Sequence, residues 1–165
     1  MTSAISTGPK MSDAAPQLYF EDFALGQTYD GASRTVSQAD VLAFAALTGD
    51  AHPIHYDAEY AKTTRFGRPI VHGLHLMSLT ALGATALSGQ LKEAMIAFLQ
   101  QGAEFRRPVF VDDTVHSAFE VVEVDSKPGR DWGRVKLRVT LANDSGETIL
   151  EAFHAYRLRR REGNS

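Results

Sequence analysis

The sequence predicts an α+β protein in which an antiparallel sheet wraps around one central helix. Three observations predict it. Four consecutive segments read as strands: Met95–Phe105, Thr114–Val124, Arg134–Leu141 and Thr148–Leu158. The third alternates polar and apolar residues throughout, as a strand with one buried face does. Ahead of them lies Leu74–Gly89 (LHLMSLTALGATALSG), with apolar or small residues on nearly every side. A helix apolar all round is a buried one.

The elements follow in chain order. Residues 1–16 are small and polar with two prolines, the composition of a disordered tail. Order is expected from about Leu18-Tyr19-Phe20. One domain is expected over residues 17–160, with a short solvated tail over 161–165; the basic RLRRRE at 157–162 reads as a solvated charge run. Thr28–Val36 reads as a short strand. Ser37-Gln38-Ala39-Asp40 is a helix start, with the serine as cap and the aspartate at the third helical position. Val41, Leu42, Phe44, Ala45 and Leu47 repeat at helical spacing, and Gly49 is placed to stop that helix. Pro53 disfavours helical geometry at His52. Asp57 caps a second short helix over Ala58–Thr63, closed by Gly67 and Pro69. His72-Gly73 opens the long apolar segment, and Gly89 ends it. Asn143-Asp144-Ser145-Gly146 has the composition of a hairpin turn between the last two strands. A sheet of this kind has edges, and pairing with a second copy is a common way to hide one.

Composition excludes several classes of function. The chain has 165 residues, 44% hydrophobic and 22% charged, in the range of an ordinary globular protein. A net charge of −3 gives no argument for nucleic acid. The absence of cysteine excludes disulfides, thiolate metal sites and cysteine nucleophiles. The first residues lack a signal-peptide apolar core, and no run of about 18 apolar residues suits a membrane. Cytoplasm is the expected compartment.

Chemistry concentrates in Thr48-Gly49-Asp50-Ala51-His52-Pro53-Ile54-His55. Taken singly, Asp50 suits a cap, His52 a surface position and His55 a satisfied core position. Together in one proline-bearing turn they point to acid–base work, with Asp50 and His55 folded toward one water. His72-Gly73 is a second candidate. Free amides at a helix start can hold an oxyanion, and a glycine lets a ligand approach the backbone; close packing would equally require that glycine. His52-x-x-His55 and His72-x-x-His75 raise a metal, but with no third strong ligand evident the expectation is no metal.

Phe44-Ala45-Ala46-Leu47-Thr48-Gly49-Asp50-Ala51-His52-Pro53-Ile54-His55-Tyr56-Asp57, continued by Phe66-Gly67-Arg68-Pro69-Ile70-Val71-His72-Gly73-Leu74, closely resembles the MaoC-like (R)-specific enoyl-CoA hydratases. Phe105-Arg106-Arg107-Pro108-Val109, Asp112-Asp113-Thr114 and Asn143-Asp144-Ser145-Gly146-Glu147 are similar to that family too. The resemblance covers about residues 20–158. It implies the hot dog fold, a long helix wrapped by an antiparallel sheet, as a homodimer or a larger assembly of dimers. It implies that Asp50 and His55 activate a water that adds to the β-carbon of a trans-2-enoyl thioester. It places Gly73 N–H on the thioester oxyanion. The family's usual asparagine, which holds the water, is here His52, which can also donate and accept hydrogen bonds. Some relatives place a serine where Ala81 stands; Ser78, one turn earlier, is a candidate pocket residue. The implied acyl tunnel runs beside the central helix, past Phe44, Leu74 and Met77. Arg65, Arg68, Arg106 and Arg107 are candidates for the coenzyme A phosphates. Coenzyme A is part of the substrate, and no other cofactor is implied. A hot dog thioesterase and a non-catalytic acyl-CoA-binding subunit are the competing readings.

Overall fold

The computed structural model describes residues 16–163; the tail expected over residues 1–16, but for its last residue, and the last two residues of the chain lie outside that range. Four long strands form the body of one antiparallel sheet. With two short ones ahead of them, the strands are β1 (Thr28–Asp30), β2 (Arg34–Thr35), β3 (Met95–Phe105), β4 (Thr114–Ser126), β5 (Trp132–Asn143) and β6 (Thr148–Arg159). Their order is β1-β4-β5-β6-β3, with β2 also on β4. The strand expected over Thr28–Val36 is therefore two pieces. The break falls after Gly31, whose amide donates to Ser117 O at 2.7 Å. A Cβ there would stand 2.2 Å from Ser117 Oγ, so the chain crosses β4 too closely for a regular ladder to continue.

Buried and half-buried residues alternate along β4 and β5, and the buried set faces the core: Val115, Phe119 and Val121 from β4, and Val135, Leu137, Val139 and Leu141 from β5. β6 adds Leu150 and Leu158. The turn after β5 is held by Asn143, whose Oδ1 accepts from the amides of Ser145 and Glu147 at 3.1 and 2.9 Å. Gly146 takes φ 77°, which an L side chain would resist.

The helices are α1 (Gln38–Thr48), α2 (Ala58–Lys62), α3 (Gly73–Ser78) and α4 (Leu87–Gln90). α1 begins with the expected reciprocal cap: Ser37 Oγ accepts from Asp40 N, and the Asp40 carboxylate accepts from Ser37 N at 2.9 Å. Those bonds to Ser37, with Arg34 beside them, hold the Asp40 carboxyl at about 2. Gly49 ends the helix at φ 78°. Of the apolar stripe, Val41 and Ala45 are buried while Leu42 and Leu47 stay exposed.

The central helix is not continuous, contrary to expectation. After α3 the chain turns, makes a 3-10 turn at Leu82–Ala84, and becomes helical again in α4. Ser78, Thr80 and Thr85 hydroxyls donate to the carbonyls three residues earlier, at 2.7, 2.7 and 2.9 Å. Such bonds offer the backbone an alternative to the helical ladder. Leu76, Leu87 and Leu91 still reach the core that the sheet covers.

The two ends of the described chain meet. Arg160 pairs with Glu21 at 3.1 Å, and Arg161 pairs with Asp22. Gly133 of β5 packs on Phe20, where a Cβ would lie 2.2 Å from the ring. Gly133→Ala is expected to cost about 1–3 kcal/mol of unfolding free energy, read as a lower urea midpoint at unchanged slope.

Candidate active site

The site is built where α1 stops. The Gly49 turn carries Asp50 out of the helix, and the 3-10 turn Pro53–His55 returns the chain inward. Asp50 N–H donates to Thr48 Oγ1 at 3.2 Å. Its side chain is exposed and has no hydrogen-bond partner among the described residues. His55 is half-buried, and its Nδ1 lies 2.8 Å from Ile70 O. A carbonyl only accepts, so Nδ1 carries the proton and Nε2 keeps a bare lone pair. Burial pushes the His55 imidazole below its ordinary value, the Ile70 carbonyl opposing it and His72 reinforcing it. His55 is thus held neutral, as an acceptor.

The structure adds a residue that acid–base reasoning missed. His72 is buried and stacks on His55, ring centroids 3.7 Å apart and planes 24° apart. Its Nε2–H donates to Asp50 O at 3.0 Å, which ties the Asp50 backbone to the start of α3. Its Nδ1 is buried without a partner among the described residues. The signal available in the sequence is the histidine beside Gly73, which spacing presents as a helix start and as half of an HxxH pair but not as a partner of His55. One ring nitrogen each of His55 and His72 and a carboxylate oxygen of Asp50 lie within 4.8 Å of one another. Stacked rings carry their in-plane lone pairs side by side. The group supplies the third potential ligand that the two HxxH spacings did not reveal, and its donor set is one that could hold a metal ion.

His52 stands outside the Asp50–His55–His72 group. It is exposed and caps the 3-10 turn, its Nδ1 accepting from Ile54 N at 3.3 Å. Its ring meets Tyr60 edge-on at 5.5 Å and His55 at 6.3 Å. Phe44 packs between His72 and His75, 5.0 Å from each, and so supports the imidazoles.

Gly73 opens α3. The first intrahelical bond runs from Leu76 N to His72 O, so the amides of Gly73, Leu74 and His75 precede the ladder. A Cβ on Gly73 would stand 3.3 Å from the Phe105 ring. Gly73 shares a cavity of about 250 Å³ with Arg65, Phe105, Arg106 and Arg107. Arg106 pairs with Glu104 and Glu151, and Arg107 with Glu147 at 3.2 Å. Arg68 stands apart, stacked over Phe110 and 3.6 Å from Asp113. Leu74, Met77 and Ser78 line a second, larger cavity on the other flank of α3.

Fold and site together define a hot dog protein with a carboxylate and two imidazoles gathered where its central helical segment begins. The family model "MaoC like domain" matches residues 22–143, and the chain belongs to the MaoC-like dehydratase family, enzymes of the hydro-lyase type. The (R)-specific enoyl-CoA hydratase of Aeromonas caviae is 42% identical over 97 residues, 58% of this chain and 70% of that protein. A solved (R)-hydratase from A. caviae superposes with a TM-score of 0.69 at 32% identity, covering 82% of this chain and 97% of the other. The 3-hydroxybutyryl-CoA dehydratase of Methylorubrum extorquens is 36% identical over 107 residues, 65% of this chain and 66% of that protein. The chain thus spans about two thirds of the curated relatives it matches. A Mycobacterium tuberculosis protein described as a double hotdog fold superposes at TM-score 0.74 and 25% identity, covering 90% of this chain and 46% of that one.

Proposed function

We propose that this protein adds water reversibly across the double bond of a trans-2-enoyl-CoA to give an (R)-3-hydroxyacyl-CoA. The observation that carries this is the pairing of two unspent acceptors, the Asp50 carboxylate and the neutral His55 Nε2. A water donating one proton to each keeps an oxygen lone pair free to attack. In hydration the water oxygen bonds to the β-carbon while one of its protons passes to the pair. The electrons of the carbon–carbon double bond move onto the thioester oxygen as an enolate. A proton from the pair then reaches the α-carbon, and the enolate collapses. The Gly73 amide, free of the helical ladder, is the donor for the enolate oxygen. His72 and Phe44 position the reacting groups.

No metal or redox cofactor enters this reading; coenzyme A arrives with the substrate. The cavity shared by Gly73, Arg65, Arg106 and Arg107 suits the coenzyme A phosphates, and Leu74, Met77 and Ser78 suit the acyl chain. A homodimer is part of the proposal. Among the described residues β3 pairs only with β6, and Ile96, Phe98 and Leu99 are exposed on it, which supports a second copy along that edge. No helix among the described residues is long and apolar enough to cross a membrane, and a cytoplasmic enzyme is proposed.

The test is turnover of crotonyl-CoA, followed as loss of the conjugated thioester absorbance with free thiol assayed in parallel. Hydration without thiol release, unchanged after dialysis against a chelator, is the expected result. Thiol release would make the protein a thioesterase. Binding without turnover would make it an acyl-CoA-binding subunit.

A further inference from the structure

A cavity of about 500 Å³ lies between α3 and the β3–β6 side of the sheet. Its wall is apolar, with Leu74, Met77, Met95 and Phe98 among the lining residues, yet His154 and Tyr156 line it too. Those two are 2% and 6% exposed. An imidazole and a phenol that deep in an apolar wall cost stability unless each is hydrogen-bonded. The acid–base site uses neither.

Their hydrogen bonds run in one direction. Thr80 Oγ1 has a single proton and donates it to Met77 O at 2.7 Å. Toward His154 Nε2, 3.2 Å away, Thr80 Oγ1 therefore accepts, and Nε2 carries the ring proton. Nδ1 of the neutral ring is then an acceptor, and Tyr156 O–H donates to it at 2.9 Å. Burial alone holds His154 at about 4, so the ring stays neutral at neutral pH. The relay leaves Tyr156 Oη with its proton spent and lone pairs free, with no further partner among the described residues. Ser78 Oγ, in the same cavity, has likewise spent its proton on His75 O at 2.7 Å. The remaining polar lining residue, Gln101, is exposed. Ser78 is exposed as well, so the buried part of the wall offers one oxygen acceptor, Tyr156 Oη, and no hydroxyl donor.

We propose that this cavity holds the acyl chain of the thioester and selects chains bearing a hydroxyl beyond the β-carbon, which donates to Tyr156 Oη. This rests on the thioester-substrate part of the reading above. A chain ending in carboxylate sets acceptor against acceptor and is rejected. A plain alkyl chain fits the apolar wall but gives the tyrosine's lone pairs no donor.

The experiment is calorimetric titration of the full chain with saturated acyl-CoAs, which lack the double bond and bind without reacting. Chains of about four to eight carbons are compared with terminal methyl, hydroxyl or carboxylate. At one length the hydroxyl chain is expected to bind about five- to tenfold tighter than its methyl counterpart, with the carboxylate weakest. Tyr156→Phe is expected to bring the hydroxyl-to-methyl ratio to about one. Equal affinity of hydroxyl and methyl chains at every length overturns the proposal, as does a preference that survives Tyr156→Phe. The wild-type comparison decides by itself if that variant does not fold. Crotonyl-CoA turnover on the same preparation separates the two ideas: its loss with an intact hydroxyl preference overturns the hydratase reading alone.

Discussion

Replacing Asp50 with asparagine is expected to lower kcat for crotonyl-CoA hydration by about 10²–10⁴-fold, the usual contribution of a positioned acid–base group. Stability is expected to stay within about 0.5 kcal/mol of the parent, as for surface substitutions that break no buried contact. The reason lies in what holds Asp50. Its amide is bonded to Thr48 and its carbonyl to His72, and asparagine keeps both backbone bonds. The side chain is exposed and supports nothing else. The substitution therefore removes an acceptor of the water proton and little more. Steady-state kinetics with a urea titration of the same protein measure both halves. Undiminished turnover in a folded variant would move the chemistry away from Asp50. The parent should also show an acid limb. As pH falls below the ordinary imidazole value, 6.5, His55 Nε2 is finally protonated and stops accepting from water. Because burial lowers that value, the limb lies below 6.5 and the rate stays flat across the neutral range.

Legibility in the sequence followed the strength of the local signal. The four long strands were readable because β-alternation repeats over many residues, and β3 matched at both ends. The α1 cap and its glycine stop were readable because each depends on a few adjacent residues. Leu74–Gly89 was not, and its all-round apolar character overstated its burial: Leu76 and Leu87 are buried, while Leu74, Ala81 and Ala86 are exposed. A segment without a polar face carries no periodicity, so nothing in it could reveal that Thr80 and Thr85 bend the backbone with their own hydroxyls. The site divided in the same way. Asp50 and His55 share one turn and could be paired from spacing. His72 joins them only through tertiary stacking across seventeen residues of chain, which no local pattern records. His52, which the resemblance places at the water-holding asparagine, also caps the next turn through Ile54 N, a contact that spacing does not reveal. The His154–Tyr156 relay gave no warning, since alternate residues on one strand face look like any buried pair until their partners are known.

That relay carries the second large effect, on stability. His154 titrates at about 4 in the folded chain against 6.5 for the free group, and burial is the sole cause. Between those values the unfolded chain binds a proton that the folded chain refuses. The unfolded state gains from every step of acidification in that window. The contribution of His154 is therefore whole above about pH 6.5 and is lost progressively as pH falls toward 4. Between pH 7 and pH 5 the loss is on the order of 2 kcal/mol. His55 and His75 are lowered by burial as well and act in the same direction. His154→Phe is expected to be less stable at pH 7, because Thr80 and Tyr156 lose their partner. It should nevertheless decline less between pH 7 and pH 5 than the parent. The comparison is thus one of slopes, measured by urea unfolding at each pH, and the offset from lost hydrogen bonds cancels. Parallel slopes would mean that the folded chain protonates His154 freely. The imidazole would then be wet or charged, Tyr156 would no longer be forced to donate, and the acceptor lining of the cavity would lose its cause.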